Sequence, residues 1–442
     1  MATDGSWRNW SGEQRCTPVR TVRARSTADV QDAVVSAAAD GLAIKAVGSG
    51  HSFTSIALTD GVLLDISAMD RVLAADVESG LVRVQAGISI NRLSDLLGAL
   101  GLGMENLGDI DVQTVAGAIA TGTHGTGASL ANISSQIRAI ELVTGDGSVV
   151  ELTAEDDPDG LRAARISLGA LGIVTAVTLQ CVPAYVMRGV DTTESLDAVL
   201  ATLDERNAEH RHFEMYAFPY AQRALTRTND VVDGPAAPPS RLQTAVRQGL
   251  LETGVLGALS EIGRRAPRSI PRLNRSIVRM AGTSVRTDRS DRIFASPRHV
   301  RFVEMEYAYP REAAEPALRE ILATIERRRL PINFPIEMRF VAGDDALLSP
   351  AYRRDTAYLA VHVYRDMPWD PYFRAVEEIA NAYGGRPHWG KRHFQTAETL
   401  AERYPEWDRF QAVRQRFDPD GRFANAYTDQ VLGPVEAVRS AA

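Results

Sequence analysis

Three short stretches of the sequence carry side chains whose types and spacing could do chemistry. The first, AVGSGHSF, sets His51 among glycines and serines directly after an apolar segment. The second, PIEMRF, carries Glu337 and Arg339 two positions apart, so in a strand both side chains point to one face. The third, HWGK, brings His388 and Lys391 together. These stretches offer a nucleophilic imidazole, an acid–base pair and a fixed cation.

Each of these groups also has an unreactive interpretation. His51 could make an ordinary hydrogen bond within its loop, and Glu337 and Arg339 could form a plain ion pair. A further histidine, His362 in AVHVY, alternates with valines, as a half-buried strand residue with one hydrogen-bond partner would. From the residues alone these alternatives stay open.

Glycine-rich loops add a second kind of signal, because glycine lets backbone N–H groups turn toward an anion. The GSG of residues 48–50 is one such loop. TVAGAIATGTHGTG (114–127) sets four glycines and four threonines around His124, and SLGALGIV (167–174) leads into a strand. Phe53 occupies the third glycine position of a dinucleotide fingerprint, and no ATP-type phosphate loop occurs. Three such clusters in one region favour a large nucleotide-like cofactor.

The elements that must position these loops are visible in the hydrophobic pattern. Ser26 and Asp29 fit a capping box before a helix that Gly41 stops, and a Gly145-Asp146-Gly147 turn closes a hairpin. The other predicted elements are strands at 43–47, 61–66 and 171–182, a hairpin over 71–87, and helices over 89–101 and 114–121.

After Pro183 the strands become longer and more aromatic, with helical segments between them. Residues 231–298 have the poorest strand signals, and 241–280 hold eight arginines. That stretch could lie on a membrane surface, but a solvated helical face is the favoured interpretation. We predict an α+β chain divided into units of 1–185 and 186–415, with residues 416–442 returning to the first unit.

Composition narrows the function classes. A chain of 442 residues exceeds one ordinary core, and its net charge of −7 argues against nucleic-acid binding. Cys16 and Cys181 cannot make a disulfide framework, and no metal-ligand spacing of Cys and His is present. The polar N-terminus and the lack of a long apolar run predict a cytoplasmic protein without membrane association.

The motifs together are similar to those of a known family. AVGSGHSF, TDGVLLDISAMDRVL and ENLGDIDVQTVAGAIATGTHGTG resemble the FAD domain of the vanillyl-alcohol oxidase superfamily. PIEMRF and RPHWGKRHF resemble its aldonolactone oxidase branch, which includes L-gulono-1,4-lactone and D-arabinono-1,4-lactone oxidases. The resemblance implies a PCMH-type FAD-binding domain and a substrate (cap) domain with a large antiparallel sheet flanked by helices.

The resemblance also implies a cofactor site. His51 becomes a covalent FAD anchor, bonded to the 8α-methyl of the flavin, and this matches the nucleophilicity of a neutral imidazole. For His124, flavin contact and a structural hydrogen bond within its loop remain equal alternatives. The implied FAD-binding residues are Ala46, Val47, Gly48, Ser49, Gly50, His51, Ser52, Gly108, Asp109, Gly117, Thr121, Gly122, Thr123, His124 and Ile173.

The implied catalytic residues are Glu337, Arg339, Lys391, His362 and His388. By resemblance Lys391 serves the flavin edge, and Arg339 with Glu337 binds and orients the hydroxyl-bearing carbon. Alditol oxidases carry threonine where His362 stands, so a sugar lactone is the expected substrate and a polyol the alternative. A flavin-binding protein without turnover is a weaker alternative, because the charged set is complete.

The last implied residue concerns oxygen. In the family the position of Gly108 lies over the flavin locus that dioxygen approaches, and glycine leaves that path open where alanine blocks it. The expected acceptor is therefore dioxygen, giving hydrogen peroxide, with another acceptor as the alternative. A second interpretation of Gly108 is a tight turn with positive φ.

Overall fold

The computed structural model describes residues 5–240, 256–295 and 300–435, whose strands form five sheets. In chain order the strands are β1 (Trp7–Arg8), β2 (Arg15–Cys16), β3 (Arg20–Arg23), β4 (Ile44–Val47), β5 (Val62–Asp65), β6 (Val72–Asp76), β7 (Leu81–Gln85), β8 (Leu102–Gly103), β9 (Ile137–Val143), β10 (Val149–Thr153), β11 (Ile173–Gln180), β12 (Val182–Pro183), β13 (Val186–Ser195), β14 (His212–Ala217), β15 (Arg223–Val232), β16 (Ser284–Arg289), β17 (Phe302–Pro310), β18 (Ile336–Val341), β19 (Thr356–Tyr364) and β20 (Arg386–Pro387).

The described α-helices are α1 (Thr27–Ala39), α2 (Ile90–Ala99), α3 (Val115–Ala120), α4 (Pro158–Arg165), α5 (Leu196–Ala201), α6 (Leu203–Glu209), α7 (Leu256–Arg265), α8 (Ile270–Met280), α9 (Ser290–Phe294), α10 (Ala314–Arg328), α11 (Asp370–Ala382), α12 (Ala397–Ala401), α13 (Trp407–Phe417) and α14 (Ala426–Leu432). None of them is long and apolar enough to cross a membrane.

Helix α1 forms as its sequence predicts. The Ser26 side chain accepts from the Asp29 amide, and the Asp29 carboxylate accepts from the backbone N–H of Ser26, which completes the capping box. Its buried face packs on a three-stranded parallel sheet of order β3-β5-β4. Strand β4 delivers the chain into the GSGHS loop.

A second, five-stranded antiparallel sheet supports the other glycine loops. Its order is β10-β9-β11-β7-β6, and both predicted hairpins are present as β6–β7 and β9–β10. Helices α2, α3 and α4 share its apolar core. Helix α3 begins at the N-cap Thr114, whose hydroxyl accepts from the Gly117 amide at 3.2 Å, and the second glycine loop follows this helix.

The eight-stranded antiparallel sheet has the order β16-β13-β15-β14-β18-β19-β17-β20. One of its faces packs on α5, α8, α10 and α11 around a large apolar core. The opposite face carries charged side chains on β14, β17 and β18. This polar face forms one wall of the site.

One strand of this sheet lies in the segment with the poorest strand signals. The segment 231–298 contains strand β16, which pairs with β13 at the sheet edge. Its sequence, SVRTDR, is polar, and Val285 is exposed, so the alternation that marks a buried strand is missing. The arginines of α7 and α8 lie largely on exposed positions, as a solvated helical face requires, and residues 241–255 lie outside the described part of the chain.

The end of the chain packs against its beginning. The Ile44 amide donates to the Arg422 carbonyl at 2.9 Å, and the buried Lys45 Nζ donates to the Phe423 carbonyl at 2.9 Å. The Asn425 amide group donates to three carbonyls of residues 55–58. The C-terminal segment therefore covers the outer edge of β4 and the loop that follows it.

Candidate active site

Two adjoining cavities bring the predicted site residues together. We call them the glycine cavity and the charged cavity. Both are lined by His51, Ser52, Gln113 and Thr121, so the two spaces meet at His51. The glycine cavity is also lined by Ala46, Val47, Gly48, Ser49, Gly50, Gly117 and Ile173. The charged cavity is also lined by Gly108, Asp109, Thr123, His124, Glu337, Arg339, His362, His388 and Lys391.

The glycine cavity offers backbone donors. The amides of residues 48–52 make no hydrogen bond to any other described residue, and Gly50 has a φ of +69°. Consecutive unpaired N–H groups next to a positive-φ glycine are the donor set that binds phosphate oxygens. This cavity therefore fits the diphosphate of a dinucleotide.

Gly48 is required by packing as well as by the cavity. A Cβ at this position would lie 2.2 Å from Thr114 Oγ1. Because Thr114 caps α3, the GSGHS loop and the start of that helix lie in direct contact. The two glycine loops thus form one wall.

His51 lies where the cavities meet and is held from outside by the N-terminal segment. Its ring stacks on Trp10 at 5.4 Å between centroids, and the Trp10 amide donates to the Gly50 carbonyl at 2.8 Å. Burial, together with the nearby Lys391 charge, lowers the pKa of His51 to about 4. Its imidazole is therefore neutral at pH 7, with a lone pair available for bonding. The sequence patterns had not indicated a role for the segment around Trp10.

Arg339 lies at the centre of the charged cavity's sheet wall. Its guanidinium pairs with Glu337 on the same strand, with Glu214 Oε2 at 2.8 Å, and with Asp109 Oδ2 at 3.6 Å. Glu214 is the register partner of Arg339 across β14 and β18. Burial alone would raise the pKa of Glu214, but Arg339 and Arg227 outweigh that effect and lower it. Arg339 is thus fixed in direction and permanently charged.

Lys391 reaches the same wall from the loop after β20. Its ammonium pairs with Glu304, whose other oxygen lies 3.4 Å from His362 Nε2. Burial raises the pKa of Glu304, yet Lys391 and His362 outweigh it and bring the value down to about 2. The carboxylate therefore stays ionised between two donors.

A second carboxylate on β17, Glu306, lies between two histidines. His124 Nε2 is 3.2 Å from Glu306, while His124 Nδ1 donates to the Gly125 carbonyl at 2.8 Å. His124 thus makes the loop hydrogen bond and also lines the charged cavity, and its contact with the flavin stays a prediction. Burial lowers the pKa of His388 to about 4, so that ring is neutral.

Ligand atoms of His124, Glu306 and His388 lie within 4.8 Å of one another, the one such group in the described residues. The hydrogen bonds of these three residues account for their proximity without a metal ion. The Gly390 amide donates to His388 Nδ1 at 3.0 Å, which leaves the proton on Nε2. A protonated nitrogen has no lone pair for a metal ion.

Two predicted cofactor residues differ from expectation in detail. Gly122, with a φ of +72°, lines neither cavity. A Cβ built on it would point toward Ile166 and Pro350. Gly108 does line the charged cavity, and the interpretation as a positive-φ turn is wrong, because its φ lies outside that region. A Cβ on Gly108 would lie 3.1 Å from Thr123 Cγ2.

Among the functional residues missed in the sequence, Glu304, Glu306 and Phe302 line the charged cavity, and Glu214 acts on it through its ion pair with Arg339. Glu304 and Glu306 stand two apart in VRFVEMEYAYP, the same spacing that drew attention to Glu337 and Arg339. Acidic residues alternating within an otherwise apolar strand were therefore an available signal.

Comparison with known proteins agrees with this geometry. Residues 177–431 match the family model for D-arabinono-1,4-lactone oxidase, and residues 18–153 match that for an FAD binding domain. An L-gulono-1,4-lactone dehydrogenase of Mycobacterium tuberculosis (strain ATCC 25618 / H37Rv) is 50% identical over 97% of this chain and 99% of its own. The L-gulonolactone oxidase of Bos taurus is 32% identical over 96% and 98%. An alditol oxidase of a Streptomyces species is 30% identical over 96% and 98%.

Among solved structures, a solvent-stable cholesterol oxidase superposes with a TM-score of 0.84 at 18% identity, covering 98% of both chains. It shares the fold, which confirms the predicted α+β class with a PCMH-type FAD-binding unit and a large antiparallel sheet. The chain belongs to the D-arabinono-1,4-lactone oxidase family and is an FAD-linked oxidoreductase that acts on CH–OH groups.

Proposed function

We propose that the chain oxidises a sugar-derived aldono-1,4-lactone, of the L-gulono or D-arabinono type, with FAD held across both cavities. The observation that carries this proposal is the junction at His51. There the backbone donors of the glycine cavity meet a wall bearing Glu337, Arg339 and Lys391. The lactone enzymes named above, one of them half identical to this chain, support the substrate class.

FAD attachment through His51 is part of the proposal. The free amides of 48–52 suit the diphosphate, and the neutral ring of His51 lies at the mouth of the charged cavity. The flavin, when bound, supplies the two-electron oxidation by accepting hydride. Gly117, Thr121 and Ile173 would flank the remainder of the cofactor.

The charged wall supplies position and charge. Arg339 would hold the substrate oxygen with two of its N–H groups, and Glu337 would accept a hydrogen bond from a neighbouring hydroxyl. Lys391 would place a cation where negative charge develops on the reduced flavin edge. His388, buried and neutral, would complete the pocket floor.

Three further points belong to this proposal. The units of 1–185 and 186–415, with 416–442 returning to the first, stay our predicted division, and contacts of Arg422, Phe423 and Asn425 support the return. Dioxygen is the proposed acceptor, with hydrogen peroxide as product. A cytoplasmic location stays a prediction from the sequence.

Acid precipitation of the purified holoprotein tests the cofactor claim. We expect the pellet to stay yellow and His51→Ala to release FAD into the supernatant. If wild-type flavin washes away on denaturation, the covalent link is wrong, although binding across the cavities is not.

Anaerobic bleaching of the bound flavin tests the substrate claim. L-Gulono-1,4-lactone and D-arabinono-1,4-lactone should bleach it faster than xylitol or sorbitol. The reverse order would select the alditol oxidase alternative, which a 30% identical relative represents. No bleaching by either class would contradict the proposed function.

A further inference from the structure

His362 and Glu304 form a carboxylate–histidine pair across two neighbouring strands. Glu304 of β17 is the register partner of His362 of β19, and His362 Nε2 lies 3.4 Å from Glu304 Oε1. An ionised carboxylate only accepts hydrogen bonds, so the ring nitrogen that faces it carries the proton. In the neutral tautomer of the ring this leaves the lone pair on Nδ1.

This nitrogen is available to a ligand. His362 Nδ1 makes no hydrogen bond within the described residues, and the ring lines the charged cavity with 12% of its side chain exposed. The Phe302 ring meets His362 edge-on at 5.1 Å, and Phe334 flanks it at 6.0 Å. Two aromatic neighbours and one carboxylate thus fix the plane of the imidazole.

The carboxylates of the cavity are poorer candidates for taking up a proton. Glu337 pairs with Arg339, and Glu304 is bound to Lys391. Glu306 lies 3.2 Å from His124 Nε2, and His124, against the effect of burial, lowers the pKa of that carboxyl. Glu304 and Glu306 are thereby held as weak bases, and Asp109, the fourth carboxylate of the cavity, lies 3.6 Å from Arg339.

The other histidines that line the charged cavity are His388, His124 and His51. His388 Nδ1 accepts from the Gly390 amide, and His124 Nδ1 donates to the Gly125 carbonyl while its Nε2 faces Glu306. His51 is assigned to the flavin. Among the described histidines that line this cavity, His362 alone keeps an oriented lone pair on the substrate wall.

We propose that His362 is the general base that takes the substrate hydroxyl proton, and that Glu304 is the residue that positions it. The inference rests on the proposed function, because it needs a CH–OH substrate on the wall of Arg339 and Lys391. The O–H bond breaks and its proton goes to Nδ1. The C–H electron pair leaves as the hydride that the flavin takes up, and the carbon, oxidised by two electrons, becomes a carbonyl.

An anaerobic stopped-flow measurement of flavin bleaching by L-gulono-1,4-lactone tests the role of His362 as the base. A general base typically contributes about 10²–10⁴ in rate, so His362→Gln should slow bleaching at least a hundredfold with flavin content unchanged. Exogenous imidazole should partly rescue His362→Ala. The matched control is His210→Gln, because His210 makes a similar pair with Asp230 at 2.7 Å but lines neither cavity. Its rate should equal that of the wild type.

The pH profile tests the positioning residue. The charged and titratable groups that line the cavity with this ring are Asp109, Glu304, Glu306, Glu337, Arg339, Lys391, His388, His124 and His51. Glu304→Gln removes a negative charge that stabilises the imidazolium, so the acidic limb of the bleaching rate should move to lower pH. A merely structural role for Glu304 would leave that limb in place.

A tautomer measurement needs no substrate. Nitrogen-15 NMR of labelled histidines, assigned by the His362→Gln difference, should show the proton of His362 on Nε2. A proton on Nδ1, or wild-type bleaching by His362→Gln, overturns the inference and leaves the proposed function standing. If no lactone bleaches the flavin of the wild-type protein, the proposed function is contradicted, and so is the role of His362 as a base.

Discussion

The two cavities that meet at His51 are lined by different kinds of chemical group. The glycine cavity is lined by small side chains and backbone, with Lys45 and His51 as its only titratable residues among those described. The charged cavity is lined by four carboxylates, Arg339, Lys391 and four histidines. Loops after β4 and α3 form the first, whereas strands of the large sheet form much of the second.

This difference separates the binding of the cofactor from the chemistry on the substrate. A backbone surface binds by shape and by N–H groups, so a substitution there acts by adding atoms that collide. A charged wall on rigid strands acts through side-chain atoms, so a substitution there removes a charge. Changes in the first cavity should therefore alter cofactor content, and changes in the second should alter rate.

The largest effect is expected at Arg339, because Glu214, Glu337 and Asp109 surround it. Arg339→Met leaves buried carboxylates without their cation, which costs about 3–5 kcal/mol of unfolding free energy. Denaturant unfolding measures this, and bleaching by lactone should be lost. Arg319→Met on α10, whose ion pairs are solvent-exposed, should change stability by less than about 1 kcal/mol. Equal losses of unfolding free energy in Arg339→Met and Arg319→Met would contradict the role of Arg339 as the cation that neutralises these buried carboxylates.

Lys391 should affect rate with little change in flavin content. Loss of one preorganised charge typically costs on the order of 10²–10³, so Lys391→Met should slow anaerobic bleaching by that factor. Lys391→Arg keeps the cation and should lose less. Wild-type bleaching by the Met variant would remove Lys391 from the chemistry.

Gly48→Ala tests the other cavity. Its Cβ would lie 2.2 Å from Thr114 Oγ1, and such overpacking costs about 1–3 kcal/mol. We expect a lower ratio of flavin to protein absorbance but near-normal bleaching of the flavin that is bound. Gly257→Ala on α7 is the matched control, since nothing lies within 4 Å of its Cβ position. It should raise stability by about 0.5–1 kcal/mol through helix propensity, with full flavin content.

The smallest and most selective effect is expected at Gly108. Its Cβ would lie 3.1 Å from Thr123 Cγ2 and 3.3 Å from the His124 carbonyl oxygen, so alanine fits with small shifts. Gly108→Ala should slow reoxidation of photoreduced enzyme in aerated buffer by on the order of tenfold, about 1.4 kcal/mol of barrier. Reduction by lactone should stay largely intact. A wild-type enzyme that reoxidises sluggishly would indicate a dehydrogenase despite the glycine.

Sequence reasoning succeeded where the determining contacts are local. The capping box of Ser26 and Asp29 and the turn at Gly145-Asp146-Gly147 lie within a few residues, so α1 and the β9–β10 hairpin were predictable. The parity of Glu337 and Arg339 likewise follows from strand geometry alone.

It failed where the contacts are distant. Glu304 becomes important only through its register with His362 and the return of Lys391 after β20, which no spacing in the sequence reveals. Trp10 reaches His51 through backbone pairing of an N-terminal segment with few pattern signals. Strand β16 was missed because an exposed edge strand needs no apolar alternation.

The contact between residues 44–45 and residues 422–423 sets an order of events in folding. The Lys45 ammonium can donate to the Phe423 carbonyl only once a segment 378 residues further along the chain has folded back onto β4. Until then the outer edge of β4 lacks its hydrogen bond to the Arg422 carbonyl, and the Asn425 side chain cannot donate to the carbonyls of residues 55–58. Closure of this edge therefore depends on contacts of very long sequence separation, and we expect the wall of the glycine cavity next to β4 to be among the slower parts of the fold to form.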